Sequence, residues 1–163
     1  MIQKYLKTFQ PLLNLLAGDN VALAGSISLR LHGLIVNREP GDMDIVIFSP
    51  TAAQLKVLAD LSWLRIEGNK DSEYTSDNVI HCKSLKFKKD DLVADVLLEP
   101  KKSMPPDLLI YEFEGKYYRI QSIKNTIDAK RSFRHNRDSS IYIREKDVMD
   151  FEMLKRDNFN LIQ

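Results

Sequence analysis

Asp42-Met43-Asp44-Ile45-Val46-Ile47 is the stretch on which the reading of this chain turns. Side chains alternate along a strand, so Asp42 and Asp44 project from one face about 7 Å apart, with Met43, Ile45 and Ile47 on the other. The apolar face marks a half-buried strand rather than a solvated loop. Two carboxylates on one face repel each other and desolvate badly unless a cation lies between them. Oxygen ligands held on a rigid element are what a hard divalent ion takes.

Working outward, Asp91-Leu92-Val93-Ala94-Asp95-Val96-Leu97-Leu98 reads as a second strand. Asp95 has apolar neighbours on both sides there, which is costly unless it is paired or liganded. It is the third candidate ligand, and the alternative is a buried ion pair with an arginine or lysine. Asp90 and Asp91 belong to a turn and need no such explanation. Three carboxylates from two strands suit two Mg²⁺ ions. One would lower the pKa of an attacking hydroxyl, and both would neutralise charge on a transferring phosphoryl group.

On the amino-terminal side, the apolar run Val21-Ala22-Leu23-Ala24 ends in Gly25-Ser26 and a helix follows. Glycine lets the backbone approach a ligand, and a helix start offers unpaired N–H groups and a positive dipole end. Gly25 and Ser26 are therefore expected to cradle phosphate, with Ser26 as the helix cap. Arg38, in the loop before Asp42, is a further candidate phosphate contact. Lys130 continues an apolar helical stripe from Ile123 and Ile127. It either reaches a triphosphate or lays its stem on the surface.

The remaining elements follow from periodicity and punctuation. Apolar residues Ile2, Tyr5, Leu6, Phe9, Leu12, Leu13 and Leu16 recur with a helical period over 2–16. A second helix is expected from Ser26 to about Leu34. A third is expected with Ser49 as its cap and Pro50 at its first position, running to about Leu61. Strands are expected at about 62–67, 78–87 and 91–98, with a turn at 88–91, and at 108–113 and 116–120 around Glu114-Gly115. Two helices, about 122–135 and 143–158, close the chain across a polar link at 136–140. The order predicts an α+β fold, a mixed sheet with flanking helices and a carboxy-terminal helical pair. Residues 1–163 form one domain, with a core at 1–120 and a helical extension at 121–163.

Composition narrows the classes. The 163 residues are 44% hydrophobic and 29% charged, an ordinary globular balance, and a formal net charge of +1 advertises no polyanionic partner. Cys82 is the one cysteine, so no internal disulfide can form and a reducing, cytoplasmic setting is expected. The run after Lys4 and Lys7 is too short and too interrupted by Asn14 for a leader, and no stretch is long enough to span a membrane. His81 and Cys82 are adjacent, so in a strand they face opposite ways and cannot chelate together. A basic region at Arg131, Arg134, His135, Arg137, Arg144 and Lys146 is either a solvated face or a contact for RNA. Asp147 and Asp150 read either as ion-pairing residues of the last helix, with Lys130 or Arg131 as partners, or as catalytic carboxylates.

The set Gly25-Ser26, then Asp42-x-Asp44, then a later strand with Asp95 resembles the DNA-polymerase-beta-like nucleotidyltransferase superfamily. The wording from Ala24 to Leu29, and from Arg38 to Ile45, resembles the small prokaryotic branch that includes AbiEii-type toxins. Lys130 and Arg144-Glu145-Lys146-Asp147-Val148-Met149-Asp150 are similar to the closing motifs of that branch. The resemblance covers about residues 20–155. It implies an NTP donor, Mg²⁺, and transfer of a nucleoside monophosphate to an acceptor, with RNA or protein as candidates. It also implies a toxin role with a separate antitoxin partner. Against it stands a nucleotidyltransferase fold kept only as a binding or regulatory module. An aminoglycoside-modifying enzyme is a third reading, and the mixed charge of the last helices does not favour it.

Overall fold

The structure, a computed structural model, describes residues 2–34, 39–61, 64–65, 72–75, 81–99, 104–132, 134–137, 140–142 and 145–157. It is a mixed α+β fold built on one sheet. Its first helix, α1 (Ile2–Leu16), buries Tyr5, Leu6, Phe9, Leu12, Leu13 and Leu16 and leaves Pro11 exposed. The proline there removes a backbone donor from the solvent side, where its cost is smallest. The chain then forms β1 (Val21–Ala24), α2 (Gly25–Leu31), β2 (Met43–Phe48) and α3 (Ala52–Asp60). Six strands follow: β3 (Leu64–Arg65), β4 (Ser72–Thr75), β5 (His81–Lys89), β6 (Leu92–Glu99), β7 (Leu109–Phe113) and β8 (Lys116–Ile120). The end is α4 (Ile123–Ser132), β9 (Arg134–Arg137), β10 (Ser140–Tyr142) and α5 (Glu145–Asp157).

The ten strands make one sheet in the order β10-β9-β4-β5-β6-β2-β1-β8-β7, with β3 also pairing to β5. The β2–β6 and β1–β8 pairs are parallel and the other pairs antiparallel. One face carries Leu23, Met43, Ile45, Ile47, Phe87, Ala94 and Val96 into a core with the buried side of α1 and Leu58 of α3. On the opposite face Ala22, Ala24, Val46 and Phe48 form a smaller apolar cluster beside Leu97, Met104 and Leu108. Leu29 of α2, Ile127 of α4, and Met153 and Leu154 of α5 form a third cluster, which ties the carboxy-terminal helices to α2.

Three boundaries of α2 and α3 differ from the sequence expectation, each for a local reason. Helix α2 ends at Leu31, not near Leu34. Gly33 takes φ +80°, its N–H bonds to the Arg30 carbonyl and the Leu34 N–H to the Leu29 carbonyl, a left-handed closure that stops the helix. Its start also moves. Ala24 is the capping position and makes no side-chain cap bond, so Ser26 lies inside the helix and is buried. For α3, Thr51 rather than Ser49 caps. Its hydroxyl accepts from Gln54 N–H at 3.1 Å, and its own N–H donates to Gln54 Oε1 at 3.0 Å. Gln54 three residues on completes that reciprocal pair, whereas the residue three after Ser49 is Ala52, whose side chain cannot accept a bond.

At the end of the chain the polar link is not a plain loop. β9 pairs with β10 and, antiparallel, with β4. Neither β4 nor β9 has an apolar alternation, and backbone pairing with neighbouring strands holds both in the sheet. A helical pair is present, but a strand pair stands between its members.

Candidate metal centre

Strand register assembles the site. Ala24 of β1 lies opposite Asp44 of β2, Asp44 lies beside Asp95 of β6, and Asp95 lies opposite Lys86 of β5. Residues abreast in a sheet share a face, so this row crosses four strands and points away from the α1 core. Two aspartates directly abreast repel and must be compensated. Asp42, two residues before Asp44, brings a third carboxylate to the mouth of β2. One oxygen from each of Asp42, Asp44 and Asp95 lies within 4.8 Å of the other two. Three oxygens so close, on two neighbouring strands, fit the donor set of a hard divalent cation.

Burial is graded across the cluster. The Asp95 side chain is 4% exposed and Asp42 29% exposed, so the site is dry at β6 and opens at the start of β2. Lys86 compensates the dry end. Its Nζ donates to Asp95 Oδ2 at 2.7 Å and lies 3.7 Å from Asp42 Oδ2. The Ser84 hydroxyl, on the same face of β5, donates to Asp95 Oδ1. Of the two readings of Asp95, the ion pair is present, with Lys86 as the partner, and Asp95 also belongs to a carboxylate cluster that could hold a cation.

Gly25 is required where it stands. Its φ is +64°, and a Cβ built on it would fall 1.8 Å from Asp44 Oδ2. The backbone thus comes against the carboxylate as closely as a side-chain-free residue permits. Ser28, one turn on, donates to the Gly25 carbonyl at 2.8 Å, and its hydroxyl lies 3.0 Å from that of Thr126 in α4. The loop before β2 is held from the other side. The Tyr5 hydroxyl donates to the Pro40 carbonyl at 3.1 Å. Burial first, then the negative charges of Asp42 and Glu39, hold the Tyr5 phenol above its ordinary value of 10.0, so it remains a neutral donor.

The structure thus brings together Gly25, Asp42, Asp44 and Asp95, with Ser26 one residue from Gly25. Arg38 lies outside the described residues, as does the side chain of Lys130, although α4 carries its backbone. The basic side chains of Arg131, Arg134, His135, Arg137 and Arg144 also lie outside them. Asp147 and Asp150 are buried in α5. Sequence reasoning missed Lys86 and Ser84, and the signal for both was the hairpin register. Two surface grooves, one beside Asn20, Thr51 and Met104, the other beside Asn14, Lys116 and Arg119, contain none of the three aspartates. No helix among the described residues is long and apolar enough to cross a membrane. No family model, curated protein or solved structure matches the chain.

Proposed function

We propose that the chain is a Mg²⁺-dependent nucleotidyltransferase, moving a nucleoside monophosphate from an NTP to an acceptor hydroxyl or phosphate. The observation that carries this reading is the convergence of Asp42, Asp44 and Asp95 beside the side-chain-free backbone of Gly25. Asp42 and Asp44, at the open end, are the residues that would hold the ion and meet the incoming phosphates. A bound Mg²⁺ supplies charge neutralisation at the transferring phosphoryl group. Gly25 lets the Asp44 carboxylate lie against its backbone, and the backbone N–H groups that follow it suit negative charge. Arg38 and Lys130 are proposed to reach the same phosphates. Asp95, held by Lys86 and Ser84, fixes the inner wall of the site. The family resemblance rests on these motif residues alone, and a toxin role with an antitoxin partner and an RNA acceptor belongs to the same proposal.

The rival reading, a nucleotidyltransferase fold used only for binding or regulation, draws on the Lys86–Asp95 ion pair. An ammonium already in place relieves carboxylate repulsion with no metal needed. Calorimetric titration of each NTP with Mg²⁺, on the protein and on Asp42→Ala/Asp44→Ala, separates the two. The enzyme reading expects saturable, metal-dependent binding that the double variant loses. A folded protein that binds no NTP with Mg²⁺ sinks it.

A further inference from the structure

We propose that Lys86 is a built-in counter-cation that limits the carboxylate cluster to one divalent ion, held at Asp42 and Asp44, where two would otherwise be expected. This inference rests on the metal-centre reading above and assigns Lys86 a positioning role through Asp95. The register places Lys86 abreast of Asp95, and its Nζ lies 2.7 Å from Asp95 Oδ2 and 3.7 Å from Asp42 Oδ2. That is the space a cation bridging Asp42 and Asp95 would need. The other Asp95 oxygen accepts from Ser84, so protein donors already engage both oxygens of that carboxylate.

Charge balance points the same way. Three carboxylates and one ammonium leave two negative charges, which one divalent ion neutralises and two would overshoot. A second ion on Asp95 would also sit within a few ångströms of a lysine ammonium that is only 21% exposed, where water screens the repulsion poorly. Mg²⁺ further demands near-ideal octahedral geometry and keeps several waters. The side of the cluster at Asp42 meets solvent, which can supply them, and the dry side at Asp95 does not. Lys86 thereby supplies from the protein the positive charge that a second ion brings in a two-metal site, and its bond to Oδ2 holds Asp95 in place.

The test is Mn²⁺ binding followed by calorimetry and by the electron paramagnetic resonance signal of free Mn²⁺, without nucleotide. Wild type, Lys86→Met and Asp42→Ala/Asp44→Ala are compared. Wild type is expected to take one Mn²⁺ per chain and the double variant none. Lys86→Met is expected to take a second ion, or to bind the first at least tenfold more tightly. The stoichiometry of the wild type needs no variant, so the proposal stands or falls even where Lys86→Met does not fold. Two Mn²⁺ ions on wild type overturn the inference and leave the metal centre intact. So does a folded Lys86→Met that binds Mn²⁺ as wild type does. Absence of Mn²⁺ from both wild type and Lys86→Met overturns the inference and the metal centre together.

Discussion

Gly25 shows how a single missing Cβ builds this site. The glycine was legible in the sequence as a place of close backbone approach, but what it approaches was not. Only the pairing of Ala24 with Asp44 reveals that the neighbour is a carboxylate of the cluster itself. Gly25→Ala must then both strain a left-handed residue and push Asp44 aside. A non-glycine residue in that region costs about 1–3 kcal/mol. The expected outcome is a stability loss of about that size in urea denaturation, and Mn²⁺ affinity lower by about tenfold or more. Unchanged affinity in a folded variant would mean that Asp44 has no part in metal binding. Ser26 teaches the converse lesson. A serine after glycine looked like a cap, and the helix begins one residue earlier, with that serine buried inside it.

Elements were read well where burial imposes a period and poorly where pairing alone decides. The helical stripe of α1 and the apolar runs of β2 and β6 were plain, because α1 buries one face and the two central strands are largely buried. β4 and β9 carry no such signature and exist through their partners. Register was the costliest omission. A turn placed at 88–91 would set Phe87 opposite Leu92, whereas the two-residue turn at Asp90-Asp91, both with positive φ, sets Lys89 opposite Leu92. That shift of two keeps every side chain on its face but moves Lys86 abreast of Asp95, and so hid the ion pair.

At this scale Gln54 fastens several elements at once. It completes the α3 cap, donates to the Leu16 carbonyl at 2.9 Å, and exchanges bonds of 2.8 Å with the Asn20 amide. Asn20 in turn donates to the Phe48 carbonyl at 3.0 Å. One buried side chain thus joins the end of α1, the turn before β1, the end of β2 and the start of α3. Gln54→Ala is expected to cost about 2–3 kcal/mol, combining a lost cap with lost buried hydrogen bonds. Thr51→Ala, which removes only the cap, should cost about 1 kcal/mol. Equal denaturation midpoints for the two variants would show that the bridging bonds contribute nothing.

Across the whole molecule, one sheet separates two tasks. Its first face is given to the α1 core, and stability can be lodged there without touching the chemistry. The opposite face carries the row from Ala24 through Asp44 and Asp95 to Lys86, on strands β1, β2, β6 and β5 that are distant in sequence. The α+β class and the three aspartates were legible from alternation and composition. The row was not, because it depends on β2 and β6 being parallel neighbours, which no local pattern encodes. The central claim is that this row, with Asp42, forms a divalent-cation site. Crystals grown with MnCl₂ and a non-hydrolysable NTP analogue test it most directly, by anomalous scattering at the manganese edge. The account predicts a peak within about 2.0–2.3 Å of carboxylate oxygens of both Asp42 and Asp44. A map with no peak at the three aspartates, from crystals in which the analogue is bound, would contradict it.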